Sequence, residues 1–296
     1  MKRTGSADEH MRSASKRSGS AGKIVETTKS SKATKTPTPS ESSTPGKSSK
    51  SSTSGKPGKP VKLDVLVIAA HPDDAEISVG GTLLTLARAG KRFGIVDLTQ
   101  GEMGTRGSAE DRARETAAAN ALLQPALRTN LNLADGRIEV TLAAREKLAA
   151  LIRAHAPDVV IAHHTDDLHP DHAAAGMLAR EAWYLSGLAR LAADAGGAPA
   201  HRPKRLYHFL GHVPTEPTFV VDIGPVWEEK LALVRCYATQ LAPRDAADRG
   251  QHFLFGADIL VRMETRARWF GERIGVRYGE PLLHKGPLPC FDPLFG

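Results

Sequence analysis

Aromatic residues are scarce in this chain of 296 residues: Phe, Trp and Tyr make up 5%, and none falls in the first 62 positions. Those positions hold 23 Ser/Thr, so they cannot bury enough apolar surface to offset the entropy of ordering them. Cysteine is scarcer still. Cys236 and Cys290 stand far apart with no C-x-x-C spacing, which excludes a disulfide-rich secreted scaffold and a cysteine-based zinc ribbon. There is no run of about 18 apolar residues and no apolar stretch of the kind a secretory signal needs. A soluble, cytoplasmic protein is expected. The spacings G-x-x-x-x-G-K-[ST] and G-x-G-x-x-G are also missing, which leaves nucleotide binding by the glycine-rich segment GEMGTRGS without support.

The net charge of +7 divides unevenly. Residues 1–62 carry 14 Lys/Arg and 4 acids, while the remaining 234 residues carry 26 bases and 29 acids. The expected organisation is therefore a disordered basic tail over 1–62 and one folded domain over 63–296. Clustered lysines in such a tail can contact nucleic acid or an anionic surface, but no aromatic is present to stack on bases. A merely solvating extension fits equally, and Cys236 and Cys290 are read as inert small residues.

After the tail, LDVLVIAA (63–70) is a nearly continuous apolar run suited to a strand buried on both faces. A helix over 82–90, a strand over 93–98 and a helix over 108–123 follow. The alternation continues with a short strand near 131–133, a helix over 142–156 and the strand DVVIAHH (158–164). A helix from His172, strand candidates in KRLYHFL and TFVVDI, and a long helix over 225–240 complete the pattern. Repeated strand–helix units predict an α/β, Rossmann-like, mostly parallel sheet with helices on both faces. In such sheets, functional groups gather where strands end and loops begin.

Polar clusters occupy those places: His71-Pro-Asp73-Asp74 after the first strand, TQGEMGTRGS after the second, and His169-Pro-Asp171-His172 after 164. One HPD could be a proline turn with an aspartate capping the next helix. Two copies at equivalent positions favour a metal site of His nitrogen and carboxylate oxygen, and a cation would also relieve the repulsion between Asp73 and Asp74. His163 and His164 are read as ordinary hydrogen-bonded histidines, since adjacent strand residues face opposite ways. Glu76 is read as a brace for the HPDD loop.

VLVIAAHPDDAEISVGG and HPDH resemble the LmbE/PIG-L superfamily of zinc-dependent N-acetylglucosamine deacetylases. With DLTQGEMGTRGS, HRPKRLYHF, FVVDI, CYATQL and GVRYGEPL, the chain resembles most closely the N-acetyl-glucosaminyl-malate deacetylases of bacillithiol biosynthesis, over roughly 64–285. The resemblance implies His71, Asp74 and His172 as ligands of Zn2+, or of another divalent cation such as Fe2+, with Asp73 as general base. It implies that His169 polarises the amide carbonyl or stabilises the oxyanion, with Asp171 orienting His169 and favouring its charged form. Arg106 corresponds to a substrate-binding arginine; the alternative is a solvent-exposed loop residue. Tyr237 corresponds to a tyrosine that meets the oxyanion or the sugar; the alternative is a core tyrosine. The implied reaction releases acetate from N-acetyl-glucosaminyl-malate, with another N-acetylglucosaminyl compound or a bacillithiol conjugate as the alternative substrate. The implied assembly is a homo-oligomer, trimer or hexamer, without membrane contact. From a different class stands a nucleic-acid-associated protein using the basic tail.

Overall fold

The computed structural model describes residues 60–191, 197–241 and 258–288. Most of the tail expected over 1–62 lies outside them, as does Cys290. Seven strands form one sheet among the described residues: β1 (Val65–Ala69), β2 (Phe93–Asp97), β3 (Leu127–Asn130), β4 (Val159–His163), β5 (Arg205–Phe209), β6 (Phe219–Asp222) and β7 (Gly279–His284), in the spatial order β3-β2-β1-β4-β5-β7-β6. The five strands from β3 across to β5 run parallel, whereas β7 pairs antiparallel with both β5 and β6. The sheet is thus α/β and mostly parallel, as expected.

Helices cover both faces because strand residues alternate. Val65, Val67 and Ala69 of β1 join one core, with Val79 and Leu83 of α1 (Asp74–Arg88) and Leu233 of α5 (Trp227–Arg235). Leu66, Ile68 and Ala70 join the other, with Leu148 of α3 (Leu142–His155) and Leu178 of α4 (Pro170–Ser186). Helix α2 (Ala109–Leu123) starts with a capping box, Ser108 accepting from the Asp111 amide and Asp111 from that of Ser108. The chain returns past β1 to place β4, so the carboxyl ends of β1 and β4 flank the switch point where α/β sheets place their sites.

Some boundaries differ from the sequence pattern. Helix α1 begins at Asp74, eight residues before the apolar spacing predicts, because its first turns carry the polar residues Asp74, Glu76 and Ser78. Strand β3 sits at 127–130 rather than 131–133. The helix expected over 225–240 is a 3-10 turn (Gly224–Val226) and α5, separated by Cys236 and Tyr237 from the short α6 (Ala238–Leu241). Helix α7 (Ile259–Glu272) exposes Val261 and Trp269 while burying Met263, Ala267 and Phe270, which blurs the periodicity that would announce it.

Helix α1 bends at Val79, whose φ of −134° is not helical. The bend frees backbone groups, and one buried ion pair satisfies them. Glu280 accepts from the amides of Gly81 (2.9 Å) and Thr82 (2.6 Å) and from the Thr82 hydroxyl (2.6 Å). Lys230 donates to the Ile77 carbonyl (2.8 Å) and to Glu280 (2.5 Å). Only glycine fits at 81, since a Cβ there would lie 2.7 Å from Ile223. Glu280→Ala strips the bend of its acceptor and leaves Lys230 uncompensated. A loss of about 3–5 kcal/mol in unfolding free energy is expected by urea denaturation; an unchanged midpoint would refute the role.

Candidate active site

The loop after β1 turns sharply into α1. Asp73 adopts φ 121°, a strained conformation for a residue with a side chain. Arg112 of α2 holds it there, donating one Nη1 to the Pro72 carbonyl (2.5 Å) and to the Asp73 carboxylate (3.0 Å). The turn brings Asp74 back onto its own loop, where Oδ2 accepts from the His71 amide (2.8 Å) and lies 3.2 Å from His71 Nδ1. The other oxygen of Asp74 is 3.4 Å from His172 Nε2, delivered by the first turn of α4.

His71, Asp74 and His172 therefore converge, each offering one ligand atom within 4.8 Å of the others. Two imidazoles and a carboxylate suit a catalytic divalent cation such as zinc, which takes three protein ligands and keeps a position open. The fit extends to the far nitrogen of His71: Nε2 lies 3.0 Å from Asp135 and 3.3 Å from Asp171, the carboxylate support that metal-binding histidines commonly have.

The electrostatics follow from burial. Burial pushes Asp73 up to about 7, the Arg112 guanidinium opposing and the Asp74 carboxylate adding to it. Burial acts the same way on Asp74, yet the imidazoles of His172 and His163 hold it well below the usual carboxylate range. His172 is raised to about 9: burial lowers it, and Asp74 and Asp167 outweigh that.

Asp171 departs from its expected role. Its carboxylate accepts from the Gly136 amide (2.7 Å) and the Ile138 amide (3.1 Å) and faces His71, not His169. His169 instead caps α4, its Nδ1 accepting from the Asp171 amide at 3.2 Å. Burial, with the nearby charges of His172 and His71, lowers His169 to about 4. The expected imidazolium is a neutral ring, and because Nδ1 accepts, its proton sits on Nε2.

Tyr237 also departs. It is 1% exposed in the core, and its hydroxyl donates to Glu76 (3.0 Å), which also takes a guanidinium bond from Arg128. It supports the α1 floor and does not line the cavity. Glu76 is a brace as expected, made through Arg128, which donates to Asp97 at 2.8 Å as well.

Arg106 lines the cavity above the triad, a space of about 970 Å³. Gln240 fastens its segment by donating to the Arg106 carbonyl (3.0 Å). The far wall comprises α7 and the loop after β5, which Arg266 pins by donating to the carbonyls of Leu210 (2.6 Å) and Gly211 (2.8 Å).

Several site residues carry no local sequence signal. Arg112 and Asp135 reach the site through space from α2 and from the loop after β3. His163 is not a bystander: Nε2 is 3.0 Å from the Ala70 amide and 3.1 Å from Asp74, and its ring stacks on His172 at 4.1 Å. Strand alternation carried the signal, since His164 turns the other way, toward His208.

A cation entering the triad must displace the protons that these carboxylates hold on His71 and His172. Its apparent affinity is therefore expected to rise with pH until His172, raised to about 9, loses its proton, and to go on rising toward about 12, to which the carboxylates around His71 raise that ring, with proton release on binding. Chelator competition at several pH values checks this, and a flat profile would refute it.

The profile of the PIG-L family, described as GlcNAc-PI de-N-acetylase, matches residues 66–183, the segment that runs from β1 through α4. Among solved structures, the conserved protein TT1542 from Thermus thermophilus is 36% identical with a TM-score of 0.68, covering 79% of this chain and 99% of that one. The N,N'-diacetylchitobiose deacetylase of Pyrococcus horikoshii, complexed with its inhibitor MPG, is 30% identical with a TM-score of 0.63, covering 74% and 82%. The 4-oxalmesaconate hydratase of Pseudomonas putida is 29% identical over 195 residues, 59% of this chain and 73% of that protein. Shared sequence over the loops that build the triad, on a shared sheet, places this chain in the PIG-L family.

Proposed function

We propose that the protein is a metal-dependent N-deacetylase that hydrolyses the N-acetyl group of an N-acetylglucosaminyl compound, with N-acetyl-glucosaminyl-malate as the specific substrate and zinc as the metal. The observation that carries this is the convergence of His71, Asp74 and His172 with Asp73 beside them at the floor of a cavity. The deacetylase among the relatives supports the reaction class. A divalent cation held by those three residues supplies Lewis acidity, polarising a carbonyl and acidifying water.

The chain's own groups do the rest. With its ordinary value raised to about 7, Asp73 is partly ionised at neutral pH, so it can take a proton from the attacking water and return it. Arg112 keeps that carboxylate in place. His169, neutral with its proton on Nε2, donates to the carbonyl oxygen as charge develops there. The water oxygen joins the carbonyl carbon, the C–N bond breaks, and the proton held by Asp73 passes to the departing amine. The products are acetate and the free amino sugar.

Arg106 supports the malate reading, since a guanidinium fork matches a carboxylate and the domain outside the tail carries more acids than bases. A second reading keeps the water-activating floor but adds water to an unsaturated acid, as the name of the hydratase relative describes for that protein.

Acetate release from N-acetylglucosaminides with and without malate, using chelated and zinc-restored protein, separates these readings. Activity that survives complete metal removal would overturn the mechanism, and no acetate from any sugar would favour the hydratase reading. Asp73→Asn is expected to lower kcat about 10²–10⁴-fold, and His169→Ala about 10²–10³-fold with zinc retained. Arg106→Lys should penalise the malate substrate more than the malate-free one; equal losses would argue against carboxylate recognition.

A further inference from the structure

The two histidines of the triad each have carboxylates facing both nitrogens. His71 turns Nδ1 to Asp74 and Nε2 to Asp135 and Asp171. His172 turns Nε2 to Asp74, and its Nδ1 is buried without a hydrogen bond, 3.6 Å from Oδ2 of Asp167. Asp167 does not line the cavity, and its side chain is 0% exposed. Its Oδ1 accepts from the His169 amide (2.8 Å) and lies 2.9 Å from His212 Nδ1, while Oδ2 accepts from the His212 amide (3.2 Å). His212 belongs to the loop after β5, lines the cavity and stacks on His172 with ring centroids 5.4 Å apart. The adjacent Asp166 does not share this role, because its backbone engages His164.

We propose that Asp167 is a positioning residue that keeps the proton of His172 on Nδ1, so that the Nε2 lone pair faces Asp74, and that it ties this ligand to His212 on the cavity wall. The inference rests on the reading of His71, Asp74 and His172 as a metal site. Both nitrogens of His172 face a carboxylate, and a cation held by the triad decides between them, since it takes the Nε2 lone pair and leaves the N–H to Nδ1. A neutral imidazole has one N–H and one lone pair, and a buried carboxylate beside Nδ1 can only receive the N–H. The nitrogen left with the lone pair is the one that meets Asp74. His71 obeys the same logic with its nitrogens exchanged, so the site uses one ring through each nitrogen and gives each a carboxylate behind it.

Asp167, His172 and His212 could instead form a second cation site, since their ligand atoms also lie within 4.8 Å of one another. The hydrogen bonds to Asp167 argue against it, because two backbone amides and His212 Nδ1 take three of its four lone pairs and leave one, on Oδ2, facing His172 Nδ1.

Asp167→Asn is nearly isosteric. Its Oδ1 can keep the bonds from the His169 amide and His212, but its amide nitrogen then faces His172 Nδ1 and drives the proton to Nε2, the nitrogen a metal needs. Zinc affinity, measured on the full chain by chelator competition, is expected to fall about 10–100-fold. His212→Gln leaves the carboxylate facing His172, so zinc affinity should stay within about twofold while KM rises. Imidazole 15N spectra of the zinc-loaded wild type need no variant and should show His172 protonated at Nδ1. Failure of the wild type to bind zinc would defeat the metal-site reading itself. One zinc per chain with unchanged affinity in the asparagine variant would overturn the role of Asp167, as would a wild-type His172 without a proton on Nδ1. Two zinc ions per chain would overturn it in favour of the second site.

Discussion

Asp74 is a carboxylate withdrawn from water, with nitrogens of His71, His163 and His172 between 3.1 and 3.4 Å from its oxygens. Removing an ion from water costs several kcal/mol even after relaxation, and crowding three imidazoles around it creates new repulsions among them. The surrounding structure is organised by that constraint. His71 is answered by Asp135 and Asp171, His172 by Asp167, and the neighbouring Asp73 by Arg112. These answers come from separate segments: the loop after β3, the loop that leads into the first turn of α4, and α2. Parallel strands gather such loops at one edge of the sheet, which explains why a chain needing so many buried countercharges uses this architecture.

The same solution recurs one layer down. Helix α1 must start immediately after the HPDD turn, yet it must also bend at Val79 to stay on the sheet. The bend is tolerated because Lys230 and Glu280, on α5 and β7, satisfy the backbone groups it frees. On the other side of α1, Glu76 takes bonds from Arg128 and Tyr237. The helix that carries Asp74 is therefore fixed by charged groups on two sides as well as by its apolar face, and Asp73 can hold a strained φ because everything around it is over-determined.

This layout explains what the sequence could and could not disclose. The strands were legible because burial on both faces writes itself as apolar runs, and the triad was legible because HPDD and HPDH concentrate rare residue types at strand ends. Asp135, Asp167 and Arg112 were not, since their partners are set by the sheet order and not by neighbours in the chain. The pairing with His169 that the resemblance implies for Asp171 does not hold either: its carboxylate faces His71, because the helical turn that begins at Pro170 points it toward the Gly136 and Ile138 amides. Tyr237 was misread for a related reason. The sequence pattern reads as one long helix over 225–240, whereas the chain breaks between α5 and α6 and drops the ring into the core, the alternative to the role that the resemblance implies. Helix α7 hid because its apolar residues serve two masters, the core and the cavity mouth.

The division between floor and wall bears on how one scaffold supports different reactions. A cation site with a carboxylate poised near neutrality prepares water for attack whatever the acceptor is. Structures named for deacetylation and for hydration share this fold, so the fold alone does not choose between reactions. The choice must come from groups that hold the acceptor above the floor. In this chain the cavity above it is lined by Arg106 on the loop after β2, the segment around His212 and one face of α7. Asp167 is a buried group that touches both layers, bonding to His212 on the wall while facing His172 on the floor. Its two oxygens divide that work: Oδ1 lies against His212 Nδ1 and Oδ2 against His172 Nδ1, so the contact with the floor does not depend on the side-chain bond to the wall, and the wall can vary without moving the floor.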